Sequence, residues 1–321
     1  MQENQIPYGQ PYPPPAVNPP WFLPAPRGAR YDHLARNGAG ELWRPIVGTL
    51  VVAAGFLVIG LVVIFAGLTL SAILGFTSPV SGQLFGNPLL GLVFSLLSIA
   101  AVLPLVFGTV ALVQRRLPGT LSSVAGRLRW TWLLMCVGLA VVALVLGQLA
   151  QAAALAMTGE QTEGMIEWAG WSEFGPALVV IVLLVPFQAA TEEYIFRGWL
   201  IQAFGTRLAN PVWAIVIGSL LFASLHGYSW VGLVDVFAFG AVMGFVAVRT
   251  GGLEAPIAMH VVNNMLAFGL SAAAGKLDQA LDQGGSPVPW QALAGTVVQL
   301  AVFSAGVFFL AKKRSVSTIS G

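Results

Sequence analysis

The chain has 321 residues, of which 57% are hydrophobic and only 9% are charged, whereas soluble globular proteins carry about 25% charged residues. This composition excludes a water-soluble domain, and the high apolar content excludes a chain that is disordered throughout. The formal net charge of +2 is spread over loops, so we expect no nucleic-acid partner. The single cysteine, Cys136, cannot form an internal disulfide.

The N-terminal part of the chain is rich in proline. Residues 1–26 contain nine of the 20 prolines, which favours extended conformations and predicts a disordered cytoplasmic tail. A ligand for a proline-binding domain is the alternative interpretation. Residues 27–45 follow with four arginines among Tyr31, Leu34, Leu42 and Trp43. This pattern predicts a basic segment that lies on the anionic cytoplasmic surface of the membrane.

Eight segments are apolar enough to cross a bilayer, which requires about 20 residues for about 30 Å of hydrocarbon. We therefore predict an all-α polytopic membrane protein. The segments near 211–226 and 254–273 are less apolar than the others, and each carries a histidine. The predicted spans are 46–74, 88–113, 130–157, 175–205, 211–226, 230–248, 254–273 and 290–311.

The distribution of Lys and Arg predicts the orientation, because positively charged loops stay in the cytoplasm. With the N-terminus inside, 13 of the 15 basic residues fall on the cytoplasmic side, and the outer loops are acidic. Eight spans with both termini cytoplasmic, in the cell membrane, is the consistent solution. We expect the basic stretches 115–129 and 312–314 to be solvated or to contact lipid head groups.

Ionisable side chains are concentrated in the middle spans. Each costs at least about 2.5–3.5 kcal/mol inside hydrocarbon, so such residues are expected to face a protein interior or a water-filled cavity. Together with two asparagines they are Glu192, Glu193, Arg197, His226, Asp235, His260, Asn263 and Asn264. Asp235 has no nearby basic residue in sequence, and both a cavity position and the outer interface are open for it.

The two adjacent glutamates are expected to differ in role. Glu193 and Arg197 are four residues apart, so they share a helical face and can form an ion pair. Glu192 points about 100° away, which leaves it free to act as a general base. The alternative is that both glutamates only form ion pairs inside a packed bundle.

Two of the three histidines also lie in spans. His260 and Asn264 are four residues apart on one face and can converge on a single oxygen atom, whereas Asn263 is expected to form a helix–helix hydrogen bond. Counting helical rise places Glu192 and His226 at one depth. His260 comes out shallower, unless the seventh helix starts higher or is tilted.

Three motifs, taken together, resemble a known family. They are EEYIFR (Glu192, Glu193, Arg197), FASLH (Phe222, His226) and HVVNN (His260, Asn264). The chain resembles the CAAX protease and bacteriocin-processing (Abi) family of intramembrane endopeptidases. The resemblance covers about 175–273 as a four-helix catalytic core, with residues 46–174 as N-terminal transmembrane helices and 274–321 as a last transmembrane helix and basic cytoplasmic tail.

The resemblance implies a role for each motif residue. Glu192 would activate a water molecule with help from His226, and His260 and Asn264 would stabilise the oxyanion. Glu193, Arg197 and Phe222 would be supporting residues. The family has also been described as metalloproteases, so Glu192, Glu193, His226 and His260 could hold Zn²⁺, although no HExxH helix is present.

The predicted function is hydrolysis of a peptide bond in a membrane-associated peptide or protein, prenylated or not. Besides this substrate, membrane lipids are the expected partners, and no cofactor is certain. Two alternatives from other classes stay open at this point. The same residues could form the proton relay of a proton-coupled transporter, or they could line the peptide-binding cavity of a non-enzymatic immunity or scaffold protein.

Overall fold

The computed structural model describes residues 20–38, 41–76, 84–160, 168–281 and 288–321. Residues 1–19 of the predicted tail lie outside this range. In the described residues the regular structure is helical, apart from two isolated β-bridges. The helices are α1 (Trp43–Ile73), α2 (Pro88–Ala100), α3 (Leu103–Leu112), α4 (Gly119–Ser122), α5 (Trp130–Thr158), α6 (Trp171–Glu193), α7 (Ile201–Gly205), α8 (Pro211–Ser224), α9 (Trp230–Thr250), α10 (Glu254–Ala273), α11 (Leu277–Leu281) and α12 (Ala292–Lys313), with a 3₁₀ turn at Tyr31–His33 and a π-helical stretch at Tyr194–Leu200.

The chain is an all-α, multi-pass membrane protein. Each of the eight predicted spans is helical, and six helical segments are long and apolar enough to cross a membrane: Trp43–Ile73, Pro88–Leu112, Trp130–Thr158, Trp171–Gly205, Trp230–Thr250 and Ala292–Lys313. The two less apolar segments correspond to α8, which has only 14 residues, and to α10, which has 20 residues but carries several polar side chains. Many large apolar side chains on the outside of the bundle are exposed, as lipid-facing residues are in a membrane protein.

Two predicted spans are not continuous α-helices. The segment predicted as 88–113 is interrupted at Ala101–Val102, because Pro104 lacks an N–H group and its ring would clash with a carbonyl one turn earlier. The segment predicted as 175–205 changes from α- to π-helical geometry at Tyr194, directly after the two glutamates. π-Helical insertions are rare in proteins, and those that occur are often at functional sites.

The helices that carry the motif residues pack together in one part of the bundle. α6 packs against both α10 and α2, α8 packs against α9, and α10 also packs against α5. α12 lies along α5 and contacts α9. α8 also contacts the π-helical stretch that follows α6, and the rings of Phe222 and His260 lie 6.0 Å apart, so the motif residues of the three helices lie together.

The described segments at one end of the bundle form a layer that we call the cap: residues 20–38, 114–129, 249–254 and 314–321. Ser320 N–H donates to the Ala29 carbonyl at 2.9 Å, so both ends of the described chain meet there. Leu253 N–H donates to the Ser122 carbonyl at 2.9 Å, and the Arg36 guanidinium donates to the Gly205 carbonyl at 2.7 Å. The cap thus joins both ends of the described chain to the ends of α7 and α9.

One arginine of the cap is buried and a second is partly buried, which corrects the expectation that the 115–129 stretch is solvated or contacts lipid head groups. Arg116 is fully buried, and it donates to Gln114 Oε1 at 2.9 Å and to Gln202 Oε1 at 2.7 Å. Burial lowers the pKa of Arg116 to about 10. Arg129 forms an ion pair with the fully buried Glu254 at 2.7 Å. These polar contacts fasten the cap to the bundle.

Candidate active site

Glu193 is the centre of a buried hydrogen-bonded cluster. Its Oε1 atom accepts from Arg197 Nη1 at 3.0 Å and from His260 Nδ1 at 2.7 Å. The side chains of Glu193 and Arg197 are 0% and 2% exposed. The ion pair predicted from the four-residue spacing is therefore present, and it also fixes the imidazole of the neighbouring helix α10.

Glu192 contacts the other nitrogen of the same imidazole. His260 Nε2 lies 3.3 Å from Glu192 Oε2. Because Glu193 accepts a hydrogen bond from Nδ1, that nitrogen carries a proton. Glu192 and Glu193 thus lie on opposite sides of the imidazole, and each contacts a different ring nitrogen.

Aromatic rings enclose the charged cluster. The Arg197 guanidinium carbon lies 4.2 Å from the centroid of the Phe222 ring and 5.7 Å from that of Phe239. Phe239 also meets the His260 ring edge to face, with centroids 5.3 Å apart. These rings stabilise the cation through their π faces and exclude water from it, so the electrostatic interactions of the cluster act in a medium of low dielectric constant.

His226 is oriented by its own helix end. Its Nδ1 lies 2.9 Å from the Phe222 carbonyl oxygen, which can only accept, so Nδ1 carries a proton and Nε2 is the nitrogen available to the cavity. The His226 ring contacts Phe222 with centroids 4.8 Å apart. His226 and Glu192 both line the cavity, while the direct partner of Glu192 among the described residues is His260.

Asn264 has a partner that the sequence analysis missed. Its Nδ2 donates to Gln188 Oε1 at 3.1 Å. Gln188 lies four residues before Glu192 and so on the same face of α6, which is the signal that could have found it. The carboxamide of Asn264 has a second N–H that this bond does not use.

A polar cavity of about 540 Å³ lies over these residues. Asp235 lies in its wall and accepts a hydrogen bond from Thr296, so of its two predicted positions it takes the cavity. Asn263 accepts from Gln299 of α12 at 3.2 Å, which confirms the predicted helix–helix hydrogen bond. The polar side chains that line the cavity include Ser95, Gln148, Gln151, Gln188, Glu192, His226, Tyr228, Asp235, His260, Asn263, Asn264, Ser271, Thr296 and Gln299.

The depth of His260 follows from where α10 begins. The turn before α10 packs beside Gly198, where an added Cβ atom would lie 3.3 Å from Leu253 Cδ1. Gly198 precedes the end of α7 at Gly205 by seven residues, or about 10 Å of helical rise. α10, the seventh predicted span, therefore begins about 10 Å further from the cap than the end of α7. This offset brings His260 to the same depth as Glu192.

The predicted zinc ligands do not form a metal site in the described part of the chain, where no group of three or more His, Cys, Asp or Glu side chains could hold a metal ion. The two ring nitrogens of His260 face Glu192 and Glu193 on opposite sides of the imidazole. Nδ1 of His226 faces a backbone carbonyl. Because the donors of His260 diverge, the four residues do not converge on one ion, and no step is assigned to a metal.

Comparison with known proteins gives a match in the region of the site. Residues 174–266 match the family described as "Type II CAAX prenyl endopeptidase Rce1-like". The uncharacterized protein YyaK of Bacillus subtilis (strain 168) is 36% identical over 102 residues, which are 29% of this chain and 34% of that protein. An uncharacterized 24.3 kDa protein of Escherichia coli is 31% identical over 87 residues, which are 26% of this chain and 39% of that protein. The chain thus spans little more than a third of the length of these curated relatives, and no solved structure matches it.

The matched region contains every residue of the three motifs, from Glu192 to Asn264. It also contains the buried cluster around Glu193 and most of the helices that support it. Over residues 174–266, which include all three motifs, the chain is therefore similar to the Rce1-like CAAX prenyl endopeptidase family.

Proposed function

We propose that the protein is an intramembrane endopeptidase that hydrolyses a peptide bond of a membrane-associated substrate with a water molecule activated by Glu192. The observation that carries this proposal is the chain Arg197–Glu193–His260–Glu192, which ends at a polar cavity inside the membrane. Peptide hydrolysis requires a base, access to water and donors for the developing oxyanion, and this arrangement offers candidates for all three.

Glu192 is suited to the role of general base because it is the carboxylate of the cluster that borders the cavity, with 8% of the residue exposed. In the proposed reaction its carboxylate takes a proton from water, while His260 carries a proton on each ring nitrogen. The hydroxide oxygen forms a bond to the scissile carbonyl carbon. When the C–N bond breaks, the proton held by Glu192 passes to the leaving amine, which balances the reaction.

Donors for the oxyanion come from α10. The 3.3 Å separation of His260 Nε2 from Glu192 is long for a charge-assisted hydrogen bond, which is about 2.7–2.9 Å. A proton on Nε2 can therefore be shared between Glu192 and a second acceptor in the cavity. The free N–H of Asn264 is the other donor, one helical turn away. Nε2 of His226, which is available to the cavity, would orient the water.

The test is a comparison of wild-type protein with Glu192→Gln, which keeps the shape of the side chain and removes the base. Each is reconstituted in liposomes with a prenylated CAAX peptide, and expressed in cells for N-terminal proteomics. We expect Glu192→Gln to lower turnover by about 10²–10⁴-fold, as loss of a general base does. The control is Glu41→Gln, at a side chain that is 60% exposed and distant from the site in sequence.

Turnover that is equal in wild-type and Glu192→Gln protein would refute the role of Glu192. Cleaved termini that appear only with active protein would identify the substrate, including whether it is prenylated. No observation favours the transporter or the scaffold interpretation, so neither is proposed.

A further inference from the structure

The cavity above Glu192 extends along the bundle toward only one of its two ends. Along α9 its lining runs from Phe239, beside His260, back to Tyr228 just before the helix begins. Along α12 it runs from Leu300 back to Ala292, the first residue of the helix. It also reaches α11 and Val288. Because α9 ends at the cap, the cavity opens at the end of the bundle that is opposite the cap.

The other end of the site is closed by buried side chains. Between Glu192 and the cap surface lie the Glu193–Arg197 pair, the ring of Trp199 and the network of Arg116. The side chains in this layer are between 0% and 2% exposed: Tyr31, Arg116, Glu193, Arg197, Trp199 and Gln202. Among the described residues there is thus no polar channel from the cap to Glu192 that matches the cavity on the opposite side.

The two ends of the bundle also differ in charge. The cap and the helix ends beside it carry the basic residues Arg27, Arg30, Arg36, Arg115, Arg116, Arg127, Arg129, Arg249, Lys312, Lys313 and Arg314. The described residues at the opposite end include Glu160, Glu173, Asp278 and a single lysine, Lys276. Because basic residues stay on the cytoplasmic side of a membrane, the cap faces the cytoplasm and the mouth of the cavity faces outward.

We propose that polypeptide substrates reach Glu192 from the extracytoplasmic side of the membrane. This inference rests on the proposed function for the fate of the substrate, but the direction of access rests on the cavity and the charges alone. It assigns as substrate class the extracytoplasmic loops or chain ends of membrane-associated proteins, in contrast to tails that are exposed in the cytoplasm.

The size and lining of the cavity fit a short extended segment of chain. Its volume of about 540 Å³ lies in the range of about 300–1,000 Å³ that small-ligand sites occupy, so a folded domain is excluded. Four carboxamides line the path above the motif residues: Gln148, Gln151, Asn263 and Gln299. A carboxamide both donates and accepts hydrogen bonds, and so can pair with the peptide groups of an extended substrate regardless of its sequence.

Thiol labelling in intact cells tests the direction of access. The native Cys136 is fully buried, so the wild-type chain is the unlabelled control. We introduce Ser271→Cys and, separately, Ser95→Cys at the cavity wall, and Ser317→Cys at an exposed position of the cap. A charged maleimide that does not cross membranes is added first to intact cells and then to inverted membrane vesicles.

We expect the two cavity variants to be labelled at least tenfold faster in intact cells than in inverted vesicles, and Ser317→Cys to show the opposite preference. Labelling of the cavity variants only from the cap side, or from neither side, would overturn the proposed access route. Labelling of Ser317→Cys in intact cells would overturn the orientation. Neither result depends on hydrolysis, so failure of this inference is distinguishable from failure of the Glu192→Gln test.

Discussion

Removal of Arg197 tests the electrostatic basis of the site. The side chain is buried, 3.0 Å from Glu193, with its face against Phe222 at 4.2 Å. In Arg197→Met the apolar contacts are largely kept, but the carboxylate of Glu193 stays buried without its cation. Breaking a buried ion pair by removing one partner costs about 3–5 kcal/mol, mainly because an uncompensated charge remains. We expect Arg197→Met to lower the free energy of unfolding by that amount.

The double variant Arg197→Met with Glu193→Gln separates charge from packing. It removes both charges, and the glutamine oxygen can still accept a hydrogen bond from His260 Nδ1. Replacing both partners of a buried pair with neutral side chains of similar size is often close to neutral in stability. The double variant is therefore expected to be more stable than Arg197→Met, although it carries one substitution more.

The free energies are measured by reversible unfolding in mixed detergent micelles with increasing dodecyl sulfate, at one fixed lipid and detergent composition. Together with the single variant Glu193→Gln, these two variants form a double-mutant cycle with the wild-type protein. A cost below about 1 kcal/mol for Arg197→Met would show that the pair behaves like an exposed salt bridge and would refute the buried arrangement. Additive costs in the double variant would refute the coupling between the two side chains.

Two further substitutions probe the positioning of Asn264 and the attachment of the cap. Gln188→Leu removes the acceptor of the Asn264 amide and should lower kcat/KM about two- to tenfold. Gln188→Glu keeps an acceptor and should retain more activity. An equal loss of activity in both variants would contradict this positioning role of Gln188. Gly205→Ala places a Cβ atom against the Asp32 carbonyl and should lower the free energy of unfolding by about 1–3 kcal/mol. The control Gly138→Ala, whose Cβ atom would have no neighbour within 4 Å, should not destabilise the protein. Equal stability of the two variants would contradict the close packing of the cap.

The sequence was sufficient for the local features of the site. Composition and helix length predict the membrane class, and the four-residue spacing predicts the pairing of Glu193 with Arg197, which is present at 3.0 Å. The prediction that Asn263 contacts another helix is also confirmed. These features depend on helical periodicity and on the cost of burying polar groups, both of which can be derived from the order of residues alone.

Features that depend on how the helices dock could not be predicted in this way. The depth of His260 is set by the packing of the turn at Leu253 beside Gly198. The π-helical stretch after Glu193 changes the directions in which the side chains after it point, compared with a continuous α-helix. Arg116 is an example from the cap. Its position in a basic loop suggests solvent, but Gln114 and Gln202, the latter 86 residues away in sequence, enclose it.

The contacts of the two adjacent glutamates favour Glu192 over Glu193 as the proposed reactive group. The Arg197 guanidinium lies 3.0 Å from Glu193, so the charge of this buried carboxylate is balanced in a medium of low dielectric constant. Glu193 is fully buried and accepts from two donors, which commits it to holding Arg197 and His260 in place. Glu192 borders the cavity and has only the longer contact to His260. Of the two adjacent acids, it is therefore the one that can exchange a proton with water without breaking up the cluster.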